Sequence, residues 1–268
     1  MMKYYKIIYI FLLLMILVSC ENQQVIDVDA EFTEFTVVEA ELRENGFFSG
    51  VKFTKTLPLG VEYSIELAEI KDITAYIRIN NVQIIPIIYT RDGLYESIHE
   101  FRIQAGDTYE LFAMREDNFI YSKTYIPPKA VVTQTNFNVD NNSLEADVLS
   151  SENEAYAAIW EIGSSTVYRS DDFFSVTLPE SIYPGSTVSV RTPPIDQELL
   201  TPAYNGQRFI RIFSFDKSFK AYFNSRTSSG NIDDPFIQGG GSTEWNVQGS
   251  NVIGMFIGVA ESVPILVN

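Results

Sequence analysis

From about residue 36 the chain alternates apolar and polar positions with a period of two. In TVVEAEL, Val38, Ala40 and Leu42 fall on one side and Val37, Glu39 and Glu41 on the other. GVKFTK sets Val51 and Phe53 against Lys52 and Thr54, and ITAYIRI sets Ile73, Ala75, Ile77 and Ile79 against Thr74, Tyr76 and Arg78. DTYELFAM and NFIYSKTYI carry the pattern on to Ile126. Successive side chains of an extended chain point to opposite faces, so this alternation predicts strands with one buried face. The breaks hold turn residues: ENG at 44–46, NN at 80–81, RDG at 91–93, AGD at 105–107 and RED at 115–117. Pro86 interrupts VQIIPIIY and lacks the N–H that a ladder needs, which predicts an edge strand or a bulge.

IPPKA, Ile126 to Ala130, reads as a boundary, because two prolines force an extended, strand-ending connection. Strands resume after it in VVTQTNFNV, LEADV, AYAAIWEI, TVYRS, FFSVTL and STVSVRT, with DNNS as a hairpin turn. QRFIRIFSFD is apolar on both faces and predicts a central strand. One helix follows. Asp216 can cap it, Phe219, Tyr222 and Phe223 share one face, and SSG at 228–230 ends it. The tail from Thr243 predicts one or two closing strands. The expected fold is therefore all-β, with two β-sandwich-like domains at 32–127 and 128–268. The first is immunoglobulin- or transthyretin-like and the second carries the short helix.

The start of the chain breaks the pattern. Lys3 and Lys6 precede an unbroken apolar run of 12 residues, Ile7 to Val18, and Ser19 precedes Cys20. A helix needs roughly 20 apolar residues to cross a bilayer core, so residues 1–19 read as an export signal peptide and 20–31 as a polar tether. The whole chain carries 19 Lys and Arg against 35 Asp and Glu, a net charge of −16. Loss of residues 1–19 takes two lysines and no acid, leaving 17 against 35, or −18. Such acidity argues against nucleic acid, whose phosphates need clustered Lys and Arg.

The chemistry on offer is narrow. Cys20 is the single cysteine and His99 the single histidine, which leaves no zinc-type spacing. No Gly-x-Ser-x-Gly elbow, dinucleotide fingerprint or P-loop is present, and GGG at 239–241 lacks the strand–helix setting of a phosphate loop. Asp140–Asp147 and Asp27–Glu31 alternate oxygen ligands but fit no calcium-loop template, and spacing cannot choose a carboxylate pair for glycoside cleavage. No enzyme activity, cofactor or metal is expected. The candidate binding residues are aromatic: Phe173 and Phe174, beside Tyr168 in the acidic stretch RSDDFF, and Trp245 after the glycine run. Exposed rings beside acids and amides suit sugar stacking.

Leu17-Val18-Ser19-Cys20 closes the apolar run in the pattern of the bacterial lipobox and resembles a lipoprotein signal. That resemblance implies cleavage before Cys20 and acylation of its sulfur and amino group. Glu21 is not the aspartate linked to inner-membrane retention, so the outer membrane is the expected location. VVEAELREN, GDTYELFA, YSKTYIPP, DPF and NVQGSNVIGMFIG occur in the order seen in a family of Bacteroidota outer-membrane lipoproteins, domain of unknown function 4249. The chain is similar to that family over nearly all of its mature length. The family's tail carries a glycine pair where this chain has Gly249 and Ser250. Members are often encoded beside TonB-dependent transporters. The resemblance therefore implies a lipid-anchored accessory protein that binds such a transporter or its ligand, with an independent glycan-binding surface lipoprotein as the alternative.

Overall fold

In the computed structural model the described residues are 32–267, less 59, 164–165, 181–182, 184, 202–205 and 229–242. The signal peptide, the tether and Cys20 lie outside them, as do the glycine run 239–241 and the acidic stretch 27–31.

The first half follows the alternation closely. Its strands are β1 (Thr36–Arg43), β2 (Val51–Lys55), β3 (Thr74–Ile79), β4 (Gln83–Arg91), β5 (Leu94–Ser97), β6 (Thr108–Arg115) and β7 (Asn118–Tyr125). Every turn signal among ENG, NN, RDG, AGD and RED contains at least one residue at positive φ, including Asn80 at 52° and Asn81 at 60°. Asparagine and glycine tolerate that backbone, and it matches strand twist in tight hairpins. Pro86 faces Tyr76 of β3, but β5 reaches only residues 87–91 of β4. Proline therefore stands on the stretch of β4 that is open on one side. A one-turn helix, Ile65–Ala68, capped by Ser64 Oγ, was not anticipated.

The second half adds β8 (Val132–Asn138), β9 (Ser143–Leu149), β10 (Glu154–Gly163), β11 (Val167–Arg169), β12 (Thr187–Arg191), β13 (Gln207–Asp216), β14 (Val247–Gln248), β15 (Val252–Glu261) and β16 (Ile265–Val267). FFSVTL, expected as a strand, makes only an isolated bridge between Thr177 and Tyr156. Phe173, Val176 and Leu178 instead pack under the helix: Val176 is 2% exposed in the cluster that holds Phe223. The tail forms three strands rather than one or two.

These strands make two sheets. Thirteen run in the order β11-β10-β13-β15-β1-β2-β5-β4-β3-β6-β7-β14, with β16 beside β13, and β12-β9-β8 form the second sheet. The protein is all-β, as expected. The pair β1–β15 is parallel, with Val38 opposite Gly254 and Leu42 opposite Gly258. The sheet then folds over on itself. β14 pairs with β7, and the gap from β7 to β15 is bridged by side chains. Thr124 Oγ1 accepts from Gly258 N at 2.8 Å, and the Asn246 amide bonds both N and O of Phe256. This enclosure holds Val38, Phe53, Ile77, Leu111, Ile120 and Phe256, each fully buried.

Beyond β15, β13 and β10 form a sheet covered on both sides. Leu144, Val148 and Val190 of the smaller sheet pack on Ala158, Trp160 and Ile212. The opposite face packs Ala157 and Phe215 under Phe223 of the helix Phe219–Ser228. The two-sided apolar pattern of QRFIRIFSFD is thus a central strand, as read. Asp216 has a double duty: its Oδ1 accepts from Ser218 N at 2.8 Å at the helix entry, and its Oδ2 accepts from Tyr125 N at 2.7 Å. The expected domain boundary falls between β7 and β8. The cluster around β1–β7 also takes Val247 and Phe256 from beyond that boundary, and residues 34–268 form one compact unit.

Candidate binding cleft

The outward faces of β1 and β2 meet the helix Phe219–Ser228 across an open cleft of about 560 Å³. Alternation puts Val37, Glu39 and Glu41 on the outer face of β1, since Val38 and Leu42 are buried inside. Lys52 stands opposite Glu39 on β2, and Met255 stands beside it on β15. These residues and Ile257 make the floor. Phe219, Tyr222 and Trp245 make one wall, and Ser49, Gly50 and Leu94 the far rim.

The wall is held from below. Phe219 stacks on Phe215 of β13 with ring centroids 4.1 Å apart. Ser225 Oγ donates to Tyr222 O and accepts from Glu244 N at 2.9 Å, which ties the backbone before Trp245 to the helix. The Trp245 ring lies 5.4 Å from Tyr222, tilted by 37°, and stays 38% exposed. It therefore offers a ring to the cleft on a fixed mount. Glu41 is engaged by Arg43 Nε at 2.8 Å. Glu39 and Lys52 have no hydrogen-bond or ion-pair partner among the described residues.

The other expected aromatics lie elsewhere. Phe173 packs edge-on against Phe213 and Phe215, at 5.2 and 5.7 Å. Phe174 is exposed, with the Arg191 guanidinium 3.9 Å above its ring. Neither lines the cleft with Trp245. His99 sits on an exposed loop just past β5, its backbone N–H donating to Ser97 Oγ at 3.2 Å. The stretch Asp140–Asp147 is the β8–β9 hairpin, with Asn142 at φ 53°.

A smaller hollow of about 320 Å³ lies at the ends of β1, β13 and β15. Arg211 fills its chemistry: it bonds both oxygens of Glu161, at 2.8 and 3.1 Å, and reaches Glu261, which also faces Arg43. Burial opposes the charge on Arg211, but its carboxylate neighbours outweigh it and hold the guanidinium above its usual range. Arg211, Glu161, Glu261 and Arg43 thus pair with one another, which suits a structural joint between strands.

Sequence reading named Trp245 and the outward face of β1, but not the cleft that they line. Tyr222 read as core because it shares a helical face with Phe219 and Phe223. Glu39 and Lys52 each read as an outward residue. Their pairing needed the β1–β2 register, which the alternation on both sides of ENG hinted at.

No family model matches the chain, and no curated protein matches it. Among solved structures the chain is similar to a DUF3823 family protein from Parabacteroides merdae, at 10% identity and a TM-score of 0.18. That match covers 69% of this chain and 92% of the other, and at such a score it carries no argument about family or activity.

Proposed function

We propose that this is a lipid-anchored, non-catalytic binding lipoprotein of a TonB-dependent outer-membrane uptake system, which holds a ligand in the Trp245 cleft for the transporter. The carrying observation is the cleft itself. It is concave and of ligand size, with an aromatic wall and a few polar groups, the usual make-up of a small-ligand site. The lipobox at Leu17–Cys20 supports an anchor at Cys20, and the family resemblance supports the transporter as partner. A binding role also agrees with His99 lying outside the cleft and with the Arg211 carboxylates being consumed in ion pairs. Solubilising native membranes in mild detergent and isolating the tagged protein tests the reading. A TonB-dependent transporter should co-purify in near-equal amount, whereas recovery of the lipoprotein alone would overturn the proposal.

The second reading, a self-standing glycan-binding surface lipoprotein, draws on the exposure of Trp245. It predicts sugar binding with no transporter attached, and protease accessibility on intact cells.

A further inference from the structure

We infer that the cleft takes a neutral saccharide, seated with a sugar face on Trp245 and two neighbouring hydroxyls on Glu39 and Lys52. This rests on the cleft being the binding site proposed above. The argument begins with the floor. Glu39 and Lys52 are a cross-strand pair, so their Cβ atoms lie about 5 Å apart. Yet they form no ion pair with each other, and neither has another partner among the described residues. A pure acceptor and a pure donor therefore stand side by side, both free, on the floor of a cleft. One hydroxyl of a sugar can donate to the carboxylate while its neighbour accepts from the ammonium, and no charge is left over.

The opposite wall supplies the complementary half. The C–H face of a pyranose is apolar and fits an aromatic ring, and the Trp245 ring is partly exposed, set against Tyr222, with the backbone before it tied to Ser225 Oγ through Glu244 N. Other ligand classes fit worse. An anion would meet Glu39 and Glu41 within a strongly acidic protein. A cation would have to displace or repel Lys52. An apolar ligand would bury Glu39 and Lys52 unpaired, which is costly for charged groups.

The experiment uses the full-length protein in a detergent without a sugar headgroup. Only two tryptophans are present, and Trp160 is 6% exposed, so fluorescence reports mainly on Trp245. Malto-, cello- and mannohexaose are titrated to millimolar concentration, with oligogalacturonate and chitosan hexamer as anionic and cationic probes. At least one neutral hexaose should give a saturable change, and calorimetry, which needs no tryptophan reporter, should show that binding lost in Trp245→Ala. Followed by calorimetry, Glu39→Gln and Lys52→Met should each weaken binding about tenfold or more, while Phe119→Ala on the outer face of β7 leaves it unchanged. The inference is overturned if no neutral hexaose binds, if a charged probe binds more tightly than every neutral one, or if neither floor variant weakens binding. A transporter that co-purifies with a protein unable to bind neutral sugars overturns this inference alone. Sugar binding without a transporter upholds it and removes the transporter reading.

Discussion

Gly254 and Gly258 show how single residues decide the sheet. A Cβ on Gly254 would overlap the Val38 carbonyl oxygen, and one on Gly258 the carbonyl oxygen of Tyr125. Gly254 also adopts φ 130°, which disfavours any side chain. In the sequence these glycines interrupt the apolar stretch VIGMFIGVA. They are the points where β15 passes closest to β1 and β7, and only the pairing reveals it. Glu110 is a second case. Its carboxylate accepts from Arg78 Nε at 2.8 Å, Arg78 Nη2 at 3.0 Å and the Tyr121 hydroxyl at 2.8 Å. The Arg78 bonds hold its titration below the usual glutamate range, against the opposing effect of burial. The unfolded chain therefore takes up this proton at a higher pH than the folded one, and folding stability falls as pH drops below about 4. Glu110→Gln should cost about 1 kcal/mol at neutral pH, a modest figure because the Arg78 side chain is 33% exposed and water screens the pair. Urea unfolding from pH 7 to pH 3 should show the gap to wild type narrowing with acidity. A gap that stays constant would mean Glu110 is not the titrating group.

At the level of elements, local pattern carried most strands and lost the long-range ones. Period-two alternation marked β1, β3, β6 and β7, and the two-faced QRFIRIFSFD marked β13, because burial of one face or both is written into each segment alone. The parallel pairing of β1 with β15 was not legible: it joins residues 36–43 to 252–259, and nothing in either strand names its partner. The same holds for the cleft, whose floor and wall come from segments far apart in the chain. FFSVTL failed for the opposite reason, since Phe173, Val176 and Leu178 serve the helix rather than a ladder. The closing of the first enclosure hangs on side chains rather than on a ladder. Thr124 is fully buried, and its Oγ1 takes the Gly258 N–H across the gap. Thr124→Val keeps the shape but orphans that buried N–H, and should destabilise the protein by about 1–3 kcal/mol. Thr124→Ser keeps the oxygen and should recover most of the loss in the same thermal or urea melts. Equal destabilisation by both variants would show that methyl packing, not the hydrogen bond, closes the sheet.

On the scale of the whole molecule, charge and anchoring set the behaviour. With −16 on the whole chain, and −18 without residues 1–19, the acidic balance favours dispersal and gives no attraction for anionic lipid. Nothing in that charge holds it at a membrane, and the lipid anchor proposed at Cys20 would supply what charge does not. This makes anchoring separable from folding. Cys20→Ala removes the proposed acylation site while leaving residues 34–267 and their buried clusters untouched. The variant should be exported, fold with the melting temperature of the acylated protein, and appear in the soluble fraction of lysed cells. Wild type should sediment with membranes and partition into detergent. Metabolic labelling with an alkyne fatty acid should mark wild type and not the variant. A variant that still sediments with membranes after high-salt washing would show that a surface of the folded part, not a lipid on Cys20, does the anchoring.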